Sequence, residues 1–122
     1  MKGKKRLTLV GIAIVLCAAV SIAWGAEEHF GVTVYENAAL NKEISKWTSE
    51  SFSVEAVCYT TQDSVEKVVG FYKKVPGLSL MGESGEGAMF KKENVDITIQ
   101  NPWMDAKTGQ LLKSTLISIV KH

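Results

Sequence analysis

Arginine is nearly absent from this chain: its one copy, Arg6, stands close to the N-terminus, and none follows it as far as His122. Two-pronged recognition of phosphate or guanine leans on the guanidinium fork, so its absence argues against a nucleic-acid partner. From Ala26 onward 10 lysines stand against 13 aspartates and glutamates, a net charge of −3, which also disfavours anionic lipid surfaces. Cysteine is equally scarce, with Cys17 and Cys58 alone. If Cys17 is removed with the N-terminal segment, no internal disulfide, no two-cysteine metal clamp and no Cys-x-x-Cys redox pair can form. The only histidines, His29 and His122, have no carboxylate at a recognised ligand spacing, so neither a metal nor another cofactor is expected.

The long hydrophobic run is confined to the start. Lys2, Lys4, Lys5 and Arg6 precede an uncharged stretch from Leu7 to Ala26, after which come Glu27 and Glu28. That order of basic end, apolar core and polar boundary is an export signal. Gly25, with Ala23 two places before it, offers the small residues that a cleavage site needs, which makes residues 1–25 a signal peptide and Ala26 the first mature residue. The run also approaches the roughly 18 residues of a membrane span, so an uncleaved anchor is the alternative. Leu16 before Cys17 is too bulky for a lipoprotein site. Either way the expected location is periplasmic or otherwise exported. The remaining 97 residues (122 − 25) suffice for one domain with a single core.

Within that domain, residues 26–50 read as an extended lead-in, with a short strand signal at Val32 to Tyr35 and a short helix suggested by Leu40, Ile44 and Trp47. Residues 51–122 form the core. Phe52, Val54, Ala56 and Cys58 alternate, which predicts a strand over Ser51 to Thr60 and a buried, structural Cys58. The next helix is written plainly: Asp63 as N-cap, Glu66 three residues on, Val65, Val68, Val69 and Tyr72 on one face, Phe71 and Val75 beside them, and a stop at Pro76–Gly77. Leu78 to Met81 predicts a short edge strand, "GESGEG" a flexible loop, and "AMFKK" and "VDITIQ" a pair of strands joined at Glu93–Asn94. A loop through Pro102 and Gly109 leads to a long central strand over Leu111 to Val120. The expected fold class is α+β: a two-layer sandwich with one main helix on a largely antiparallel sheet of about four to five strands.

The spacing Tyr59-x-Thr61-x-Asp63-Ser64-x-x-x-Val68-x-x-Phe71-Tyr72, preceded by "GVTVYENA", resembles a group of small exported bacterial proteins of unknown function that carry a strand, T-x-D-S, helix, F-Y unit. In that group "V-Y-P-G-A" is common near the mature start; here Glu36 and Asn37 stand where its Pro and Gly would be. The resemblance implies a fold and an exported location, and it implies no activity.

Catalytic patterns are fragmentary. Ser64 and Lys67, with Lys107-Thr108-Gly109, mimic elements of penicillin-binding proteins, yet no Ser-Asp-Asn element accompanies them, and Ser118 with Lys121 repeats the first spacing by chance. Glu83 and Glu86 in "GESGEG" would repel a phosphate, and Ala88 and Met89 follow where a phosphate loop needs Lys and Ser or Thr. Glu83 with Glu86, and Asp96 with Asp105, read as solvated charge, because acid–base work needs burial to move a pKa. No residue is assigned a catalytic role. One stretch stands out, "NPWMDAKTG", where Trp103 and Met104 sit in a polar Pro- and Gly-containing loop. Exposed aromatic and Met side chains mark binding surfaces, so a site is expected where Trp103, Met104 and Tyr35 converge. Two function classes follow: a non-enzymatic envelope domain that binds an unidentified protein partner or small ligand, or a small periplasmic hydrolase or transferase using Ser, Lys and carboxylates.

Overall fold

A computed structural model describes residues 27–122. The predicted signal segment, Ala26 and Cys17 lie outside the described residues. The architecture is α+β, built on one antiparallel sheet. The elements run β1 (Glu28–His29), β2 (Val32–Thr33), β3 (Ala39–Leu40), α1 (Lys42–Phe52), β4 (Glu55–Thr61), α2 (Val65–Lys73), β5 (Ser79–Ser84), β6 (Gly87–Lys92), β7 (Val95–Gln100), β8 (Trp103–Met104), β9 (Leu111–Leu112) and β10 (Thr115–Lys121). The main sheet has six strands in the order β3-β4-β10-β7-β6-β5; β1 with β2 and β8 with β9 form separate two-stranded ribbons. The C-terminal strand β10 is central, paired to β4 on one side and β7 on the other.

Alternation sorts the side chains between two faces. Tyr59, Ile117, Ile119, Ile97, Ile99, Ala88 and Phe90 point toward α2, where Val65, Val68, Val69 and Tyr72 meet them; Val32, Val34 and Tyr35 of the lead-in close the same core. On the opposite face Cys58 and Leu116 pack with Ile44 of α1 and Trp103 of β8 in a second, smaller cluster. The main sheet thus carries two clusters of unequal size, one on each face.

Several boundaries differ from those the sequence suggests. The sheet has six strands instead of four or five, and the short helix suggested by Leu40, Ile44 and Trp47 is present but longer, running past residue 50. That helix, α1, is capped by Asn41, whose side chain accepts from the Ile44 N–H at 3.1 Å, and it continues through Ser51 and Phe52. Ser53 then ends it in the left-handed conformation, so Phe52 and Val54 owe their spacing to a helix end and a connection rather than to one strand. The N-cap of α2 is Ser64, which accepts from the Lys67 N–H at 3.2 Å, because the Asp63 carboxylate is already engaged by Tyr35 and Asn37. The "GESGEG" stretch is not a free loop: β5 runs on to Ser84 opposite Gly87, leaving only Gly85 and Glu86 in the turn. The predicted last strand is divided at Lys113–Ser114, and its first part pairs with Trp103–Met104 as a hairpin.

Candidate functional site

The β8–β9 hairpin follows a cis Asn101–Pro102 peptide and folds against α1. Trp103 is 4 % exposed and its indole N–H donates to the Ser114 hydroxyl at 3.0 Å, so the ring forms the floor of this region instead of projecting from it. Met104, its chain neighbour, points outward and is 64 % exposed. Leu111 lies directly across the hairpin from Met104 and is also exposed. On the helix side Trp47 and Phe52 stand 43 % and 63 % exposed, with ring centroids 6.0 Å apart in an edge-to-face contact. Between helix and hairpin lies a groove of about 200 Å³ lined by Trp47, Phe52, Met104, Ala106, Trp103 and Leu116. Beside it, Lys107 reaches the Glu43 carboxylate at 3.2 Å and ties the hairpin tip to the first turn of α1.

Tyr35 does not join this group. It lies in the larger core on the other face of the sheet, stacked edge-on against Phe71 at 5.2 Å. Its hydroxyl donates to the Asp63 carboxylate, which also accepts from the Asn37 amide at 3.1 Å and lies 3.8 Å from the Lys67 ammonium. Burial and the Asp63 carboxylate push the Tyr35 phenol up to about 12. The hydrogen bonds from Tyr35 and then Asn37 hold the Asp63 carboxyl below its ordinary range. Burial likewise raises Tyr72 to about 12, and burial followed by the Glu27 carboxylate raises Tyr59. These groups act as a latch: Asp63 closes the lead-in onto the start of α2, and its backbone carbonyl accepts from the buried Thr115 hydroxyl at 2.6 Å.

A more polar cleft of about 690 Å³ opens between the start of α2 and the β5–β6 turn, with Ser64, Glu66, Glu83 and Asn101 on its walls. Ser64 is occupied as a helix cap, and the Lys67 ammonium turns to Asp63. Lys107 lies beside α1, so the Ser-x-x-Lys and Lys-Thr-Gly fragments face different sides of the sheet. Glu83 is paired with Lys73 at 2.9 Å, and Asp96 with His122 at 2.8 Å and Lys91 at 3.6 Å. Among the described residues no group of three or more His, Cys, Asp or Glu side chains is placed to hold a metal ion, and no helix is long and apolar enough to cross a membrane.

Of the three residues singled out from the sequence, the groove thus brings together Trp103 and Met104 and leaves Tyr35 elsewhere. It adds Trp47 and Phe52. The Leu40, Ile44, Trp47 spacing pointed to the first; the second was hidden by an apparent strand alternation. Comparison with protein-family models, with curated proteins and with solved structures finds no match to this chain.

Proposed function

We propose that this protein is a non-enzymatic binding domain of the bacterial cell envelope, exported by its N-terminal segment and akin to the small exported proteins its helix unit resembles. It takes a protein partner or small ligand in the groove between α1 and the β8–β9 hairpin. The observation that carries this reading is that Phe52, Trp47 and Met104, large apolar side chains left in solvent, line one groove with the buried Trp103, and that the exposed Leu111 pairs with Met104 across the hairpin. Contiguous exposed apolar surface is uncommon on a protein that works alone, and aromatic and Met side chains dominate binding hot spots. The exposed Glu43–Lys107 pair links the two walls and contributes little to holding them.

A small hydrolase or transferase is less well supported. Ser64 serves as a cap, Lys67 is drawn to an ionised Asp63, and the raised tyrosines hydrogen-bond within the fold.

The test is native mass spectrometry of protein recovered from the exported fraction, beside the Met104→Glu and Phe52→Glu variants. Wild type is expected to carry a fixed added mass that both variants lose, since a hot-spot change of about 2 kcal/mol weakens binding roughly 30-fold. An added mass that survives both changes, or a bare chain in all three samples, would overturn the reading.

A further inference from the structure

The two edges of the main sheet are treated differently. On one side β3 covers only Thr60 and Tyr59 of β4, and α1 takes over from there: the Ser45 hydroxyl accepts from the Cys58 N–H at 2.7 Å and the Ser49 hydroxyl accepts from the Ala56 N–H at 3.0 Å. Two serines one helical turn apart thereby satisfy backbone groups that an edge would leave free. At the other side β5 has no such cover. All six of its residues are exposed, including Leu80 and Met81, and it contains neither Pro nor Lys. Its one charge, Glu83, is neutralised by Lys73. Its guards are slight, a single bulge between Leu80 and Gly82 and the neutralised Glu83, and an edge of this length with neither Pro, Lys nor a covering helix is a template for another strand.

We infer that β5 pairs with β5 of a second copy of this chain, antiparallel about a two-fold axis, joining two six-stranded sheets into one. The occupant follows from the register. In an antiparallel pair, residues directly opposite must point to the same face. A regular six-residue strand laid fully against its own copy would break that rule, because residue 79 would oppose 84 and residue 80 would oppose 83. The bulge between Leu80 and Gly82 repairs it. Leu80 lies opposite the buried Phe90 and Glu83 opposite the buried Ala88, so both face α2; Ser79 opposite Lys91 and Gly82 opposite Met89 face the other way. Full overlap then matches Leu80 with Glu83 of the second copy on one face and Ser79 with Ser84 on the other. Met81 falls opposite a glycine that leaves room for it. In this register Glu83 lies opposite Leu80 and not opposite its own copy, so the two glutamates are not cross-strand neighbours, and each is neutralised by Lys73 of its own chain.

Sedimentation of protein recovered from the exported fraction tests this, with three variants. Wild type is expected to form a dimer at tens of micromolar. Met81→Lys, at an exposed position that costs the fold little, should raise the dimer dissociation constant at least tenfold. The Ser79→Cys/Ser84→Cys double variant should form a covalent dimer on oxidation, because directly opposite residues lie within disulfide range, whereas Ser79→Cys alone should not. Phe52→Glu should leave the dimer intact, which separates this interface from the groove. A monomer at all concentrations would overturn the inference. So would a dimer that Phe52→Glu dissolves, or one whose double-cysteine variant stays uncross-linked.

Discussion

Tyr35 and Asp63 show how a residue chosen for one role is fixed in another. The Tyr35 hydroxyl donates to the carboxylate and its ring packs edge-on against Phe71, so the polar tip and the apolar body are both satisfied inside the fold. The pair has opposite consequences at the two ends of the pH scale. Asp63 is held below its unfolded range, so its contribution is present above the ordinary carboxylate pKa and is lost as the pH falls through the folded value. Tyr35 is raised from 10.0 to about 12, so its contribution is complete below pH 10 and drains away as the pH rises toward 12. Tyr72, buried and also raised to about 12, adds to the alkaline loss. Urea titrations across pH should therefore show wild-type stability falling at both extremes. Tyr35→Phe should be less stable near neutrality and show a shallower decline on each side. Parallel curves for the two proteins would mean that the hydrogen bond does not link their titrations.

At the scale of elements, close approach between strands explains a residue that composition alone marks only as a loop former. Gly87 begins β6 opposite Gln100, and a Cβ there would stand 2.2 Å from the Ile99 carbonyl oxygen, a backbone atom that cannot swing aside. Gly87→Ala is expected to cost about 1–3 kcal/mol, the range for forcing atoms into a packed interior. For a domain of this size that corresponds to a fall in Tm of roughly 5–20 °C, and an unchanged melting curve would refute the argument. The same stretch marks where sequence reading stops. The α2 face of Val65, Val68, Val69 and Tyr72, the inward Val95, Ile97 and Ile99, the Glu93–Asn94 turn and the central last strand all follow from periodicity and capping. The extension of β5 to Ser84 does not, because glycine and serine carry no strand signal and the pairing partner supplies it. Asn41 and Ser53 could have marked the ends of α1, but Phe52, Val54, Ala56 and Cys58 imitate a strand, and that imitation concealed the place of Phe52 on the groove. Trp103 and Met104 were legible as a place to look; which of them faces water was set by hairpin pairing with Leu111 and Leu112.

At the scale of the whole molecule, one sheet serves two cores of different size, and this sets where the fold opens first. The helix α2 buries four side chains, among them Val68 and Tyr72 with no exposed surface, against a large cluster spanning β4, β10, β7 and β6. The helix α1 buries Ile44 alone and otherwise depends on the Ser45 and Ser49 links to β4 and on one exposed ion pair to the β8–β9 hairpin. An apolar side chain fully removed from water contributes about 1.5–3 kcal/mol, whereas a net hydrogen bond contributes about 1 kcal/mol and an exposed ion pair less. The balance predicts that α1 and the hairpin detach as a unit while the β4–β10–β7 sheet and α2 stay folded. Native-state hydrogen exchange should read this directly. Backbone amides within α1 should exchange through a sub-global opening at low denaturant, whereas those of α2 and β10 should exchange only through complete unfolding. If a partner fills the groove between α1 and the hairpin, its saturation should slow exchange in α1 and β8–β9 far more than in α2. Equal protection of the two helices in the free protein would show instead that the smaller cluster is coupled to the larger through the sheet.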